Sequence, residues 1–326
     1  MTIADIKRID GRPIPDKRQE IRAFLLVQNG MLRLASTLSH YRRLGVDRFF
    51  ILDSGSTDGT LEFLATAADV HIFSVPADPV GGGDGMAPIN ALLDRYGVGF
   101  WTLTVGAGEL FIYPHYEQLE LPLFCRYLDY VGAQAVGCLL LDMYSADPVR
   151  DTVHQAGAPL LNTCRYFDAA PYRMERTQSC PYFEIHGGVR ERVFCRGKTA
   201  ADQAFGLSRV PLVKWRVGME FAHDTRRLSP AVIANVLAAL LRFEFLSDMH
   251  EWAQCESELS DLIADMALHG AYRDLLRDNE PVSLFCDKSI RFESSAQLVE
   301  LGLMTTTRAY EESVRLTTAA RAAQAV

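Results

Sequence analysis

Apolar and polar positions fall into blocks whose period switches between strand and helix. Ile21 to Val27 is a strongly apolar run that reads as a strand. Leu32, Leu34, Leu38 and Tyr41 then recur at roughly helical intervals across 31–44, and Gly45 stands where a left-handed cap closes a helix. Phe49 to Leu52 predicts a second strand, 60–67 a helix and 70–75 a short strand. Further on, Met86 to Tyr96 reads as a helix, Phe100 to Val105 as a third core strand, 117–131 as a helix and 134–141 as a buried strand. This alternation predicts an α/β fold, with a mostly parallel central sheet flanked by helices. From 150 to 220 the pattern is irregular, with strand-like runs at 192–195 and 211–215. The stretch 230–270 reads as helical with one apolar face, and the last residues, rich in Ala, Thr and Arg, as a fraying end. The expected organisation is a polar leader over 1–17, a main domain over 18–230, a C-terminal helical region over 231–304 packed on it, and a tail over 305–326.

Composition narrows the class. The chain has 326 residues, enough for one large α/β domain with a helical appendage. A formal net charge of −8 argues against a general nucleic-acid binder. The seven cysteines form no Cys-x-x-Cys pair, which favours buried thiols in a reducing compartment over a disulfide framework or a zinc site. No run approaches the roughly 18 apolar residues of a membrane span, and no secretory signal core opens the chain. The expected location is cytoplasmic, with peripheral membrane association left open.

The most informative segment is Asp53-Ser54-Gly55-Ser56-Thr57-Asp58-Gly59-Thr60, a polar turn between a strand and a helix. Ser56 and Thr57 are helix-capping types, and Asp58 lies where a helix dipole favours negative charge. In open α/β sheets the loops at the carboxyl ends of strands bind ligands. Capping and ligand binding are both open for these residues on local grounds.

The surrounding sequence resembles a bacterial branch of glycosyltransferase family 2, of the GT-A type. That branch typically reads Arg-Asn-Glu after its first strand, then Tyr-Arg-x-Leu-Gly-Val-Asp-x-Phe, then Asp-Asn-x-Ser-Thr-Asp-Gly-Thr. Here the same places carry Gln28-Asn29-Gly30, Tyr41-Arg42-Arg43-Leu44-Gly45-Val46-Asp47-Arg48-Phe49 and the Asp53–Thr60 turn. Tyr96 to Val105, Glu109 to Pro114, Leu141 to Tyr144, Gly187 to Arg190, Pro211 to Trp215 and Leu240 to Leu246 extend the likeness over about residues 20–304. The resemblance implies a Rossmann-like GT-A fold and a UDP- or GDP-linked sugar as donor. It also implies a glycan or lipid-linked acceptor.

Four positions depart from that pattern. The family's Asp-x-Asp motif, which bridges a divalent cation to the diphosphate, is Gly106-Ala107-Gly108 here. Gly30 replaces a Glu, and Arg242 stands where a His is frequent, on what reads as an apolar helix too close to Glu244 to share its face. No cofactor is therefore assigned, and a divalent metal is doubtful. One account is transfer without the metal, with Arg242, Lys214, Arg190 and Arg192 neutralising the diphosphate. The other is a catalytically inactive relative that binds a nucleotide sugar or serves as a partner or scaffold.

The resemblance places Asn29, Asp53, Ser56, Asp58, Arg190, Lys214 and Arg242 as nucleotide-sugar contacts. Asp142 would be the base that deprotonates an acceptor hydroxyl, or else a strand-end cap. Glu109 would hold a water or a phosphate-bound group, or else pair with an Arg. Gly187 and Gly188 would allow close backbone approach, or mark a hairpin. His223 resembles a metal-side His at an unusual spacing.

Overall fold

The computed structural model describes the chain apart from residues 1–5, 16, 18, 76–85, 177–182, 196–205, 223–224, 230, 255–265, 277–280 and 325–326. The first half alternates strands and helices. β1 (Lys7–Arg8) and β2 (Ile21–Val27) precede α1 (Met31–Leu44), β3 (Arg48–Asp53), α2 (Thr60–Ala65), β4 (Val70–Ser74), α3 (Ala87–Tyr96) and β5 (Trp101–Thr104). Gly45 does close α1, with φ of 96° and its amide donating to Arg42 O. β6 (Glu109–Ile112), α4 (Leu121–Tyr130) and β7 (Ala135–Asp142) follow. Next come α5 (Leu160–Thr163), β8 (Tyr166–Asp168), β9 (Tyr172–Arg176), β10 (Phe183–Gly187) and a π-helical turn at Arg190–Phe194. β11 (Ser208–Lys214), β12 (Phe221–Ala222), β13 (Arg227–Leu228) and β14 (Ala238–Arg242) lead into α6 (Ser247–Gln254) and α7 (Met266–Leu276). β15 (Ser289–Arg291), α8 (Ser295–Glu300) and α9 (Arg308–Gln324) end the chain.

Nine strands form one mixed sheet in the order β1-β4-β3-β2-β5-β11-β7-β14-β6. β4, β3, β2, β5, β7 and β14 run one way, and β1, β11 and β6 run against them. Helices flank both faces, so the central strands are buried on both sides. One face carries Leu34, Leu38 and Tyr41 of α1 with Phe124 of α4 and Tyr310 of α9. The other carries Ile89, Leu92 and Leu93 of α3 with Phe24, Phe50 and Trp215. A third cluster joins Tyr144, Phe194, Phe245 and Tyr272 beneath α6 and α7.

Four segments differ from the sequence-based expectation. Residues 238–242 form a central strand inside the stretch that reads as helix, because all five are buried and alternation is lost. Residues 190–194 coil where a strand was expected at 192–195. The final segment forms α9, anchored by Tyr310, whose hydroxyl donates to Pro114 O at 2.6 Å. The leader docks on β4, where Asp10 accepts from the Ile72 amide at 3.0 Å and Arg12 donates to Val70 O at 2.9 Å.

β6 lies at a sheet edge, and α1 covers it. Thr37 accepts from the Gly108 amide at 2.9 Å, and His40 Nε2 lies 3.0 Å from Phe111 O. The Tyr41 hydroxyl donates to Glu109 O at 2.8 Å and accepts from the Phe111 amide at 3.0 Å. These side chains satisfy edge groups that would otherwise be open to another strand.

Candidate functional site

The loops after β2, β3 and β5 meet at the carboxyl edge of the sheet, and the first two are tied into one knot. The Asn29 amide donates to Ser56 Oγ at 2.9 Å, and Asn29 Oδ1 accepts from the Thr57 amide at 2.8 Å. Asn29 has φ of 50°, a conformation Asn tolerates better than most residues. Asp58 Oδ2 accepts from the Met31 amide at 2.9 Å, and Asp58 Oδ1 accepts from the Thr60 amide and hydroxyl. Asp58 thus caps α1 across the loop and fills the helix end that could otherwise attract an anion.

Asp53 is different. Its Oδ2 accepts from the amides of Gly55 and Ser56 at 3.0 and 3.2 Å. Its Oδ1 is buried and has no hydrogen-bond partner, in a residue only 1 % exposed. A carboxylate oxygen left this way costs free energy unless something donates to it. Ser54 Oγ and Thr104 Oγ1, at the ends of β3 and β5, are likewise buried without partners.

The third loop is where the metal motif would lie. Gly106 donates its amide to Glu109 Oε2 at 2.7 Å, so that carboxylate is folded back on its own loop. Gly108 has φ of 84°, and a Cβ there would come within 2.5 Å of Arg33 Cδ. A Cβ on Gly30 would meet Val27 Cγ1 at 2.6 Å. The absent acidic side chains are therefore matched by tight packing at Gly30 and Gly108. Gly106 and Gly108 offer no side-chain oxygen, and no three His, Cys, Asp or Glu side chains converge to hold an ion among the described residues. The donor set does not fit a divalent cation.

Arg33 is the side chain that sequence reasoning missed. Its Nη2 donates to Asp248 Oδ1 at 2.7 Å, and its Nε donates to Phe243 O at 2.8 Å. The Phe243 amide in turn donates to Gly108 O at 3.0 Å. Burial works against the charge, but the Asp248 carboxylate outweighs it and raises the guanidinium pKa. The available signal was polar residues at 33, 37 and 40, spaced to form one stripe on α1 beside the apolar one.

The other basic candidates are each met by a carboxylate. Arg190 Nε and Nη2 lie 2.6 and 2.9 Å from the two oxygens of Asp142, and both side chains are almost fully buried. Arg192 binds Asp168 through two contacts of 2.8 and 2.9 Å. Arg242 is on β14, not on a helix, and lies in register with Glu109 on one side and Asp142 on the other. Residues two apart in an extended chain share a side, so Arg242 reaches Glu244 at 3.2 Å. Lys214 is elsewhere. It is in register with Trp101, the first residue of β5, at the sheet edge opposite the crevice, and binds Asp129 at 2.6 Å. The structure thus gathers Asn29, Asp53, Ser56, Asp58, Gly106 and Gly108 at one crevice, with Glu109, Arg242, Asp142 and Arg190 forming a charged row beside it. Gly187 is packed against Pro171, where a Cβ would come within 2.1 Å of the carbonyl oxygen. His223 lies outside the described residues.

No family model matches the chain, and no curated protein matches it. Among solved structures it is similar to glucosyl-3-phosphoglycerate synthase from Mycobacterium tuberculosis in complex with UDP. The identity is 27 % over 44 % of this chain and 49 % of that one, with a TM-score of 0.25. A second likeness is to UDP-glucose pyrophosphorylase from acinetobacter baumanii, at 12 % identity over 90 % and 92 % with a TM-score of 0.26. A third is to 4-diphosphocytidyl-2C-methyl-D-erythritol synthase, at 15 % identity over 56 % and 82 % with a TM-score of 0.27. The match to the mycobacterial synthase spans less than half of that protein's length. These superpositions are too loose to transfer a residue's role. Among the described residues no helix is long and apolar enough to cross a membrane.

Proposed function

We propose that this chain is a glycosyltransferase-type protein that binds a UDP- or GDP-linked sugar in the crevice at the ends of β2, β3 and β5, without a divalent ion. The unpartnered, buried Asp53 Oδ1 carries the reading. A nucleoside hydroxyl or base N–H would supply the hydrogen bond it lacks, once the Asn29–Thr57 loops part slightly to admit it. The ion pairs beside the crevice favour binding without turnover. Asp142 is engaged twice by Arg190, which leaves it poorly placed to take an acceptor's proton. In this reading the protein is a cytoplasmic nucleotide-sugar binder or partner protein built on a transferase frame.

One observation favours a second reading, in which the sugar is transferred to a glycan or lipid-linked acceptor. Arg33 lies beside Gly108, and a guanidinium there could stabilise a leaving diphosphate in place of a metal if Asp248 released it. The two readings share the donor site and differ in turnover. The test is to measure UDP and GDP binding to the wild type and to Asp53→Asn, and then sugar release from a donor panel in chelator. Binding weakened about tenfold or more in Asp53→Asn, with no sugar release, supports the binder. Chelator-resistant release abolished by Arg33→Ala supports the transferase. Nucleotide binding unchanged in Asp53→Asn rejects the assignment of the crevice.

A further inference from the structure

The leader closes over the edge of β4 around one buried polar cluster. His71, in β4, is fully buried. Its Nδ1 lies 3.2 Å from Asp10 Oδ2 and 3.3 Å from Arg8 Nη2, and its Nε2 is buried with no hydrogen-bond partner. The Asp10 side chain is 5 % exposed and already well supplied with donors. Its Oδ1 accepts from Arg8 Nε and from the Ile72 amide, each at 3.0 Å. Its Oδ2 accepts from Arg8 Nη2 at 2.9 Å and from the Arg12 amide at 3.1 Å. The Arg12 guanidinium then reaches the end of α2 and the start of β4, where it donates to the carbonyls of Ala65, Ala67 and Val70.

This cluster suits a neutral ring better than a charged one. A neutral imidazole with its proton on Nδ1 donates to Asp10 and leaves only a lone pair at Nε2. An imidazolium carries a second N–H there, with no acceptor among the described residues. It also sets a second cation against a carboxylate that Arg8 already neutralises. The charged groups facing the ring are Asp10 and Arg8 of the leader and Arg48 of β3, itself paired with Glu20. The ring of Phe50, also on β3, packs against it with centroids 5.4 Å apart. Burial lowers the His71 pKa from 6.5, Asp10 opposes this, and Arg8 and Arg48 add to it. With the leader lifted, the ring meets water and titrates near its ordinary value. The open form therefore takes up the proton more readily, so closure is complete above about pH 6.5 and weakens as pH falls below it. For Asp10, burial raises the pKa, but the bonds from Arg8, His71 and the two amides outweigh it. Loss of that carboxylate therefore belongs below about pH 4.

We propose that residues 6–12 form a clasp over β4 and the end of α2, which a neutral His71 keeps closed and a protonated His71 releases. The clasp is independent of what the crevice binds. Release uncovers the edge of β4, an apolar strand that the leader otherwise pairs. Hydrogen exchange on the full chain at pH 7.5 and 5.5, with each amide corrected for its intrinsic rate, tests it. The amides of Ile9, Arg12 and Ile72 report opening, because they donate to Ile72 O, Asp10 Oδ2 and Asp10 Oδ1. Their opening should rise together at the lower pH, by up to about tenfold. The amides of β2 and β3 should stay protected, which shows that the fold is intact. In His71→Gln the two pH values should give the same opening. Arg8→Gln, at a partly exposed position, should shrink the pH effect, because Asp10 is then free to pair with the charged ring. Opening that does not change with pH in the wild type overturns the proposal. A pH effect that persists in folded His71→Gln, or that is undiminished in Arg8→Gln, overturns it as well.

Discussion

Gly108 shows how a missing side chain can be built into its surroundings. Its φ of 84° suits glycine, and Arg33 fills the space a Cβ would take. A Cβ on Gly106 would come within 3.3 Å of the Glu109 carboxyl group, so an aspartate there would face a like charge. Gly106→Asp with Gly108→Asp is therefore expected to lower stability by roughly 1–3 kcal/mol and to gain no Mn²⁺ affinity. Adding Arg33→Ala opens the space beside Gly108 and should permit Mn²⁺ binding, read by calorimetry, but it strands Asp248 and Phe243 O and should lower stability further in urea unfolding. His40 gives a second prediction at this scale. Burial pushes its pKa down from 6.5 to about 4, and its Nε2 faces Phe111 O. The unfolded chain then binds the proton more readily, so the stability His40 contributes is present above about pH 6.5 and is lost as pH falls towards 4. Urea unfolding at pH 7.5 and 4.5 should show this loss, and His40→Gln should reduce it. Arg33 itself was hard to read from the sequence, because an Arg in the first turns of a helix usually faces water.

At the scale of elements, the alternation from β2 to β7 was legible apart from β6, since β2, β3, β4, β5 and β7 are compact apolar runs and the helices keep their period. β14 was not. A strand buried on both faces loses its alternation, and Ala238 to Leu241 adjoin an apolar stretch that equally suits a helix. That one assignment displaced Arg242, whose pairing with Glu244 follows from extended geometry. The Asp53–Thr60 turn was legible as a loop at a strand end, but its division of labour was not. The sequence marks Asp58 as the residue at the helix start, but it does not show that Asp58 reaches across to α1 while Asp53 keeps an oxygen open. Asp58→Ala should remove the bonds to Met31 and Thr60 and cost about 0.5–2 kcal/mol in thermal or urea unfolding, with Asp58→Asn costing less. A cost below the error of the measurement would contradict the capping role.

For the whole molecule, the charge pattern decides more than the fold does. A sheet of this kind presents a crevice at its carboxyl edge whatever its chemistry. Here Arg33, Arg190, Arg192 and Arg242 each contact a carboxylate of the same chain, at Asp248, Asp142, Asp168 and Glu244. Sequence alone named Arg190, Arg192 and Arg242 but not Arg33, and it could not pair Arg190 with Asp142 or Arg192 with Asp168, because those partners come from distant segments. Removing one member of a buried pair strands the other, which favours retention of the pairs even without catalysis. Nucleotide bound at Asp53 without a metal is read by calorimetry with UDP and GDP, with Mn²⁺ and with chelator. At least one nucleotide should bind with the same affinity in both conditions. Binding that appears only with Mn²⁺, or no binding of either nucleotide, would contradict it.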